Sequence, residues 1–165
     1  MARKPKTKDI DIGEKRVRKD MKKINKSFVT IGIHASASPY KLELGTIPVY
    51  VVAACHEFGT QKIPERSFMR STVDREREKW WKLIEKLIDS ITKGKVKPED
   101  ALNIVGIEVM EAIHETINNF LKYFPQKDIS PARIKQKKRE FAARRPLVAT
   151  YHMRDSILYK VTIKK

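Results

Sequence analysis

Two stretches of helical periodicity, separated by a break of a few residues, constrain this chain more than anything else in it. Over residues 73–93, Trp80, Ile84, Leu87, Ile88 and Ile91 recur at the spacing that gathers side chains onto one face of an α-helix. Asp74, Glu76 and Glu78 sit near the positive start of that helix. Gly94 ends the pattern. Pro98-Glu99-Asp100 opens a second one, with proline in the first turn and acids behind it. Its apolar face runs through Leu102, Val105, Val109, Ile113, Ile117 and Phe120 until Pro125 stops it. This second helix is expected to be the longest of the chain.

Strand signals lie at either side of the helical pair. Phe28-Val29-Thr30-Ile31-Gly32-Ile33 is rich in β-branched residues and predicts a first strand. Ile157, Tyr159, Val161 and Ile163 alternate with Leu158, Lys160, Thr162 and Lys164, which predicts a last strand with one buried face. Ser36, Ser38, Pro39 and Gly45 make residues 34–46 a loop. The apolar segment from Pro48 to Gly59 has the composition of a strand, but Val51, Val52, Cys55 and Phe58 recur at helical spacing. Pro48 suits a helix start and Gly59 the position just past an end, so the segment reads as a short helix. Residues 60–71, with Pro64, read as an extended loop. Ser130-Pro131 predicts a short basic helix to about Phe141, Arg144-Arg145-Pro146 breaks it, and Thr150 caps one more turn.

These elements make an α+β fold: a small antiparallel sheet packed against two long helices, with short additional helices. Two strands alone are marginally stable. Further strands are therefore expected from residues 34–47 or from another subunit. Residues 1–26 read as a basic N-terminal arm, flexible first and then weakly helical on a thin stripe of Ile10, Ile12, Val17, Met21 and Ile24. Residues 27–165 read as a single α+β domain.

Charge points to an acidic partner. The chain of 165 residues carries 36 Lys and Arg against 20 Asp and Glu, a net charge of +16. Such a balance favours nucleic acid, an anionic surface or an acidic protein. It concentrates in two places: Arg3, Lys4, Lys6 and Lys8, and then Arg133, Lys135, Lys137, Lys138, Arg139, Arg144 and Arg145, which only Glu140 opposes. Either group can contact phosphates without regard to sequence, or form a solvated face. Aromatic residues are sparse there, so stacking on single strands is not indicated. The longest apolar run is far shorter than the ~20 residues that span a bilayer, and the start lacks the apolar stretch of a signal peptide. The expectation is a soluble chain made in the cytoplasm.

Little in the sequence has the pattern of a catalyst. The one cysteine, Cys55, is followed by His56 and Glu57, but neighbours on a helix point about 100° apart, so contiguity does not join thiol to imidazole. No paired histidine spacing suits a metal, and His114-Glu115 is one imidazole beside a carboxylate. No glycine-rich phosphate loop or nucleophile elbow occurs. The reading is no enzyme, no metal and no cofactor.

Three segments, in order, carry a resemblance. The first is Ala53-Ala54-Cys55-His56-Glu57-Phe58-Gly59-Thr60, followed by Ile63-Pro64-Glu65-Arg66-Ser67-Phe68-Met69-Arg70-Ser71. The second is Ile129-Ser130-Pro131-Ala132-Arg133-Ile134, and the third is Leu147-Val148-Ala149-Thr150-Tyr151-His152-Met153-Arg154-Asp155-Ser156-Ile157. Together they resemble a family of bacteriophage virion-morphogenesis proteins of the neck, head–tail joining or tail-completion type. The Glu-Phe-Gly-Thr and Ile-Pro-x-Arg-x-Phe pair is the specific part. Relatives usually carry Asp-Thr-Gly in the third segment, where this chain has Ala149 and Tyr151 in place of the Asp and the Gly.

The resemblance implies a structural subunit that assembles into a six-fold ring at the head–tail interface, where it joins or terminates the tail while DNA passes along the axis. Its partners would be copies of itself and the neighbouring neck, connector and tail-tube proteins, with no membrane. It would be assembled in the host cytoplasm and reside in the virion. Strands from neighbours would complete an inner sheet. The expected subunit contact is Glu57, Phe58, Gly59, Thr60, Pro64, Arg66, Phe68 and Arg70, with Arg66 and Phe68 as anchors. The alternative for these residues is local: Phe58 and Phe68 pack into the subunit's own core and Glu57 pairs with Arg66. The alternative for the protein is a basic nucleic-acid-binding accessory protein.

Overall fold

A computed structural model describes residues 13–43, 45–61, 63–123 and 151–163. In chain order it has helix α1 (Glu14–Lys26), strands β1 (Phe28–Ile33), β2 (Tyr40–Leu42) and β3 (Gly45–Ile47), and helices α2 (Val49–Phe58) and α3 (Phe68–Thr92). Helix α4 (Pro98–Asn118), the single turns α5 (Phe120–Tyr123) and α6 (His152–Asp155), and strand β4 (Ile157–Thr162) complete it. The class is α+β, as the sequence predicts. The expected basic helix at 130–141 and the cap at Thr150 lie outside the described residues, as do all eleven basic residues singled out before 9 and after 132.

Helix α4 is the centre of the arrangement. One side packs on α3 and another on the antiparallel pair formed by β1 and β4. The pairing runs from Phe28 opposite Thr162 to Ile33 opposite Ile157. Side chains alternate across a strand. Val29, Ile31 and Ile33 therefore share a face with Val161, Tyr159 and Ile157, while Phe28 and Leu158 stay exposed on the other. The main core joins Val49 and Ala53 of α2, Phe68 and Trp80 of α3, and Val109, Ile113 and Ile117 of α4 to Met153 and Ile157. Between the long helices the Thr72 hydroxyl donates to Thr116 at 2.6 Å, and the Arg75 guanidinium donates to the same Thr116 oxygen at 2.7 Å. Buried hydroxyls left unpaired would be costly, so this pair satisfies both helices at once.

Several expectations need correction. Helix α3 begins at Phe68 rather than near residue 73 and, at 25 residues against 21 for α4, is the longest of the described helices. Helix α4 stops at Asn118, so Phe120 falls in the separate turn α5. Extra strands do arise from residues 34–47, but among the described residues β2 and β3 pair with each other and not with the β1–β4 sheet. Helix α1 packs onto the body: Met21 and Ile24 cover a second cluster of Leu87, Ile91 and Ala101. Its Arg16 donates to the Ile91 and Thr92 carbonyls at 3.0 and 2.7 Å. That guanidinium satisfies carbonyls that the end of α3 leaves without helical partners, where a cation is also favoured by the dipole.

Gly106 sits in the middle of α4, where the Tyr159 ring packs against the helix, and a Cβ there would come within 2.8 Å of the ring's Cγ. Glycine in a helix interior ordinarily costs ~0.5–1 kcal/mol relative to alanine. Here the sign reverses, because alanine would push the sheet off the helix. Gly106→Ala is expected to destabilise the protein by about 1–3 kcal/mol in urea unfolding, in the range typical of overpacking. A gain in stability would show that the ring shifts away at no cost.

Candidate functional site

The Glu-Phe-Gly-Thr segment ends α2, and the Ile-Pro-x-Arg-x-Phe segment leads into α3. Gly59 makes the corner with φ +74°, a region that favours glycine, and a Cβ there would also meet the Glu65 backbone nitrogen at 2.9 Å. The chain then turns back. The Thr60 amide donates to the Ile63 carbonyl at 2.8 Å, the Ile63 amide donates to the Thr60 hydroxyl at 3.0 Å, and the Arg66 amide donates to the His56 carbonyl at 2.6 Å. Pro64 sits exposed on the outside of this turn.

The turn exists to place a carboxylate. Glu57 is only 5% exposed, and it accepts from the Met69 amide through Oε2 and from the Arg70 amide through Oε1, both at 2.9 Å. The Ser67 hydroxyl donates to it at 3.3 Å and Arg70 Nε at 3.2 Å. Ser67 occupies the position where a serine normally caps its own helix, yet its side chain makes no such bond. Glu57 does that job from the preceding helix, and it brings a full negative charge to the positive end of α3. This explains the early start of α3: the cap is not in its local sequence.

Arg70 holds the junction from outside. Its guanidinium donates to the Glu57 carbonyl and to the Glu65 carboxylate, each at 2.8 Å, and lies 4.8 Å from the centre of the Phe58 ring. Phe58 is 66% exposed, so the arginine covers one face of it and the rest meets solvent. Arg66 turns the other way. Its Nη1 is 3.2 Å from Nδ1 of His56. Burial, and then the Arg66 charge, hold His56 below its ordinary pKa, which suits a neutral ring accepting from arginine. Burial also lowers the pKa of Arg66 itself.

The eight predicted contact residues therefore divide. Phe58, Thr60, Pro64 and Arg70 lie on the surface, while Glu57 and Gly59 build the junction beneath them. Phe68 as an anchor is a correction: it is fully buried in the core cluster with Val49 and Ala53, because it is the first residue of α3 and its side chain turns inward. Pairing of Glu57 with Arg66 is also corrected, since the α3 amides and Arg70 occupy the carboxylate and His56 takes the guanidinium. Sequence reasoning missed the exposed apolar residues beyond the motif. Tyr50 lies two turns before Phe58 on α2, and Val73 and Trp81 follow Arg70 along α3, with Trp81 64% exposed; Ile88, expected on the packed face with Leu87 and Ile91, is exposed as well. The adjacent tryptophans could have signalled this, since Trp80 and Trp81 cannot both face one core.

Cys55 is half-buried, and Nδ1 of the neighbouring His56 is engaged by Arg66. Among the described residues no group of three His, Cys, Asp or Glu is placed to hold a metal, and no helix is long and apolar enough to cross a membrane. In the third motif segment, Tyr151 precedes α6 with φ +55°, the one non-glycine residue with positive φ among those described. Compared with protein-family models, with curated proteins and with solved structures, the chain matches none of them.

Two outcomes follow from this geometry. Glu57→Ala removes the α3 cap and strips Arg70 of its buried partner, and is expected to cost about 2–4 kcal/mol in urea unfolding. A loss within ~0.5 kcal/mol, the scale of an ordinary surface substitution, would mean that solvent caps α3 equally well. Tyr151→Gly relieves a left-handed conformation and is expected to stabilise the protein by about 1 kcal/mol, whereas the β-branched Tyr151→Val should destabilise it. Equal midpoints for all three proteins would show that the turn stores no strain.

Proposed function

We propose that this chain is a structural subunit of a tailed-bacteriophage particle, of the neck or tail-completion type, which assembles into a ring that joins or terminates the tail at the head–tail interface. The observation that carries the reading is the fold of its most specific motif. Glu-Phe-Gly-Thr and Ile-Pro-x-Arg-x-Phe form one junction, in which Glu57 and Gly59 lock the chain and Phe58 is left outside beneath Arg70. A motif used only for folding has no need to hold an aromatic ring in water. The left-handed backbone at Tyr151 gives further support, because the resembling family carries glycine there.

The contact surface then shifts from the one the sequence suggests. Phe58 replaces Phe68 as the apolar anchor, and Trp81 extends the contact along α3. Aromatic and arginine side chains are the types enriched at interface centres. Strands β1 and β4 each have one partner among the described residues. The edges that no other described strand occupies suit pairing with a neighbouring subunit into a continuous inner sheet, as closed head-to-tail rings allow. The remaining partners are neighbouring neck, connector and tail-tube proteins, in the virion. The work is mechanical and needs no catalytic residue.

Light scattering and negative-stain imaging of the purified chain test this. The wild type should form rings near six subunits. Phe58→Asp and Trp81→Asp, made separately, should each give a folded protein of monomer mass. A monomeric wild type at high concentration, or rings unaffected by both variants, would overturn the proposed contact.

A further inference from the structure

Helix α1 has two faces of different chemistry. One is docked, through Met21, Ile24 and the Arg16 contacts with the end of α3. The other is lined by Lys19, Lys22 and Lys26, which recur at helical spacing and are exposed. Among the described residues, no ion pair engages them. The acids of α1 are engaged elsewhere, Glu14 with Arg18 at 2.6 Å and Asp20 with Arg16 at 3.3 Å. Lys23 is also spent, in an ion pair with Glu99 that ties α1 to α4. Exposed Lys95 and Lys97 lie in the turn after α3, beside the Gly94 against which the Arg16 guanidinium rests.

We infer that this lysine face of α1 is a contact surface for the phosphate backbone of double-stranded DNA. Two arguments favour phosphate over an acidic protein. Protein interfaces are depleted of lysine at their centres and rely on apolar anchors. This chain does place aromatic residues outward, at Tyr50, Phe58 and Trp81, but the lysine face has none. A backbone contact needs charge and reach rather than shape. Seven residues of helix rise about 10 Å, and a duplex presents about one charge per 1.7 Å of its axis, so three lysines meet several phosphates at once. The absence of exposed rings on the face also argues against stacking on single strands. The surface is independent of the ring contact proposed above, since it lies on a different helix and uses none of the same residues.

The test uses the full chain, a short duplex of mixed sequence and fluorescence anisotropy across a salt series. The wild type should bind with a steep salt dependence. Lys19→Gln/Lys22→Gln/Lys26→Gln should make the slope of log affinity against log salt shallower by about 2.7, at ~0.9 per phosphate contact. Lys19→Arg/Lys22→Arg/Lys26→Arg should bind as the wild type does, which separates loss of charge from any loss of the helix. A control with the same change in net charge, Lys82→Gln/Lys86→Gln/Lys160→Gln, should keep the wild-type slope. Equal losses in the control and in the α1 glutamine variant would reduce the effect to net charge and overturn the assignment. No duplex binding by the wild type at low salt would overturn it too. So would poly-glutamate that competes with the duplex at equal charge concentration and loses as much from the α1 substitutions, because the partner would then be an acidic polypeptide.

Discussion

A long helix starts with amide groups that have no helical acceptor, and in α3 the Glu57 carboxylate answers that need. Much else follows from it. To reach those amides the chain must reverse between α2 and α3 within a few residues. That reversal requires the positive φ of Gly59, the close turn at Thr60 and Ile63, and the return of Arg66 to the His56 carbonyl. Once the carboxylate is seated, Phe68 points into the core and Arg70 closes over the outside. A buried charge without such partners would be untenable, so the junction forms as a unit.

The opposite end of α3 is treated in the complementary way. Arg16 from α1 donates to the last carbonyls, so the helix has a carboxylate at its positive end and a guanidinium at its negative end, both supplied by other elements. Between these clamps, Trp80, Leu87 and Ile91 pack toward α4 and α1. The closeness of α4 to the sheet depends on Gly106, which lets the Tyr159 ring pack against the helix.

The surface carries what the core does not use. Aromatic residues face solvent along α2 and α3, while lysines face it along α1. These two chemistries suit different partners, an apolar protein surface and a polyanion. The exposed aromatic row on α2 and α3 and the lysine face of α1, which carries no ring, are the two surfaces on which the contacts proposed above rest.

The sequence by itself determined the class and most of the elements. The periodicity of α3 and α4, the strands at 28–33 and 157–162, and the helix between Pro48 and Gly59 all follow from local spacing and from residues with fixed backbone preferences. The motif around Glu57 was also legible as a special segment, but not the task of each residue in it. Tertiary structure alone decided that Glu57 caps a helix it does not belong to, that Phe68 is buried and Phe58 exposed, and that α1 joins the body. It also decided that, among the described residues, β2 and β3 form a pair of their own beside the β1–β4 pair. The physical reason is common to these cases. Local pattern encodes which side chains share a face, whereas partners across a turn of ten or more residues, or from the far end of the chain, leave no periodic trace. Only their approach in space, and the cost of leaving a charge or an amide unpaired, selects them.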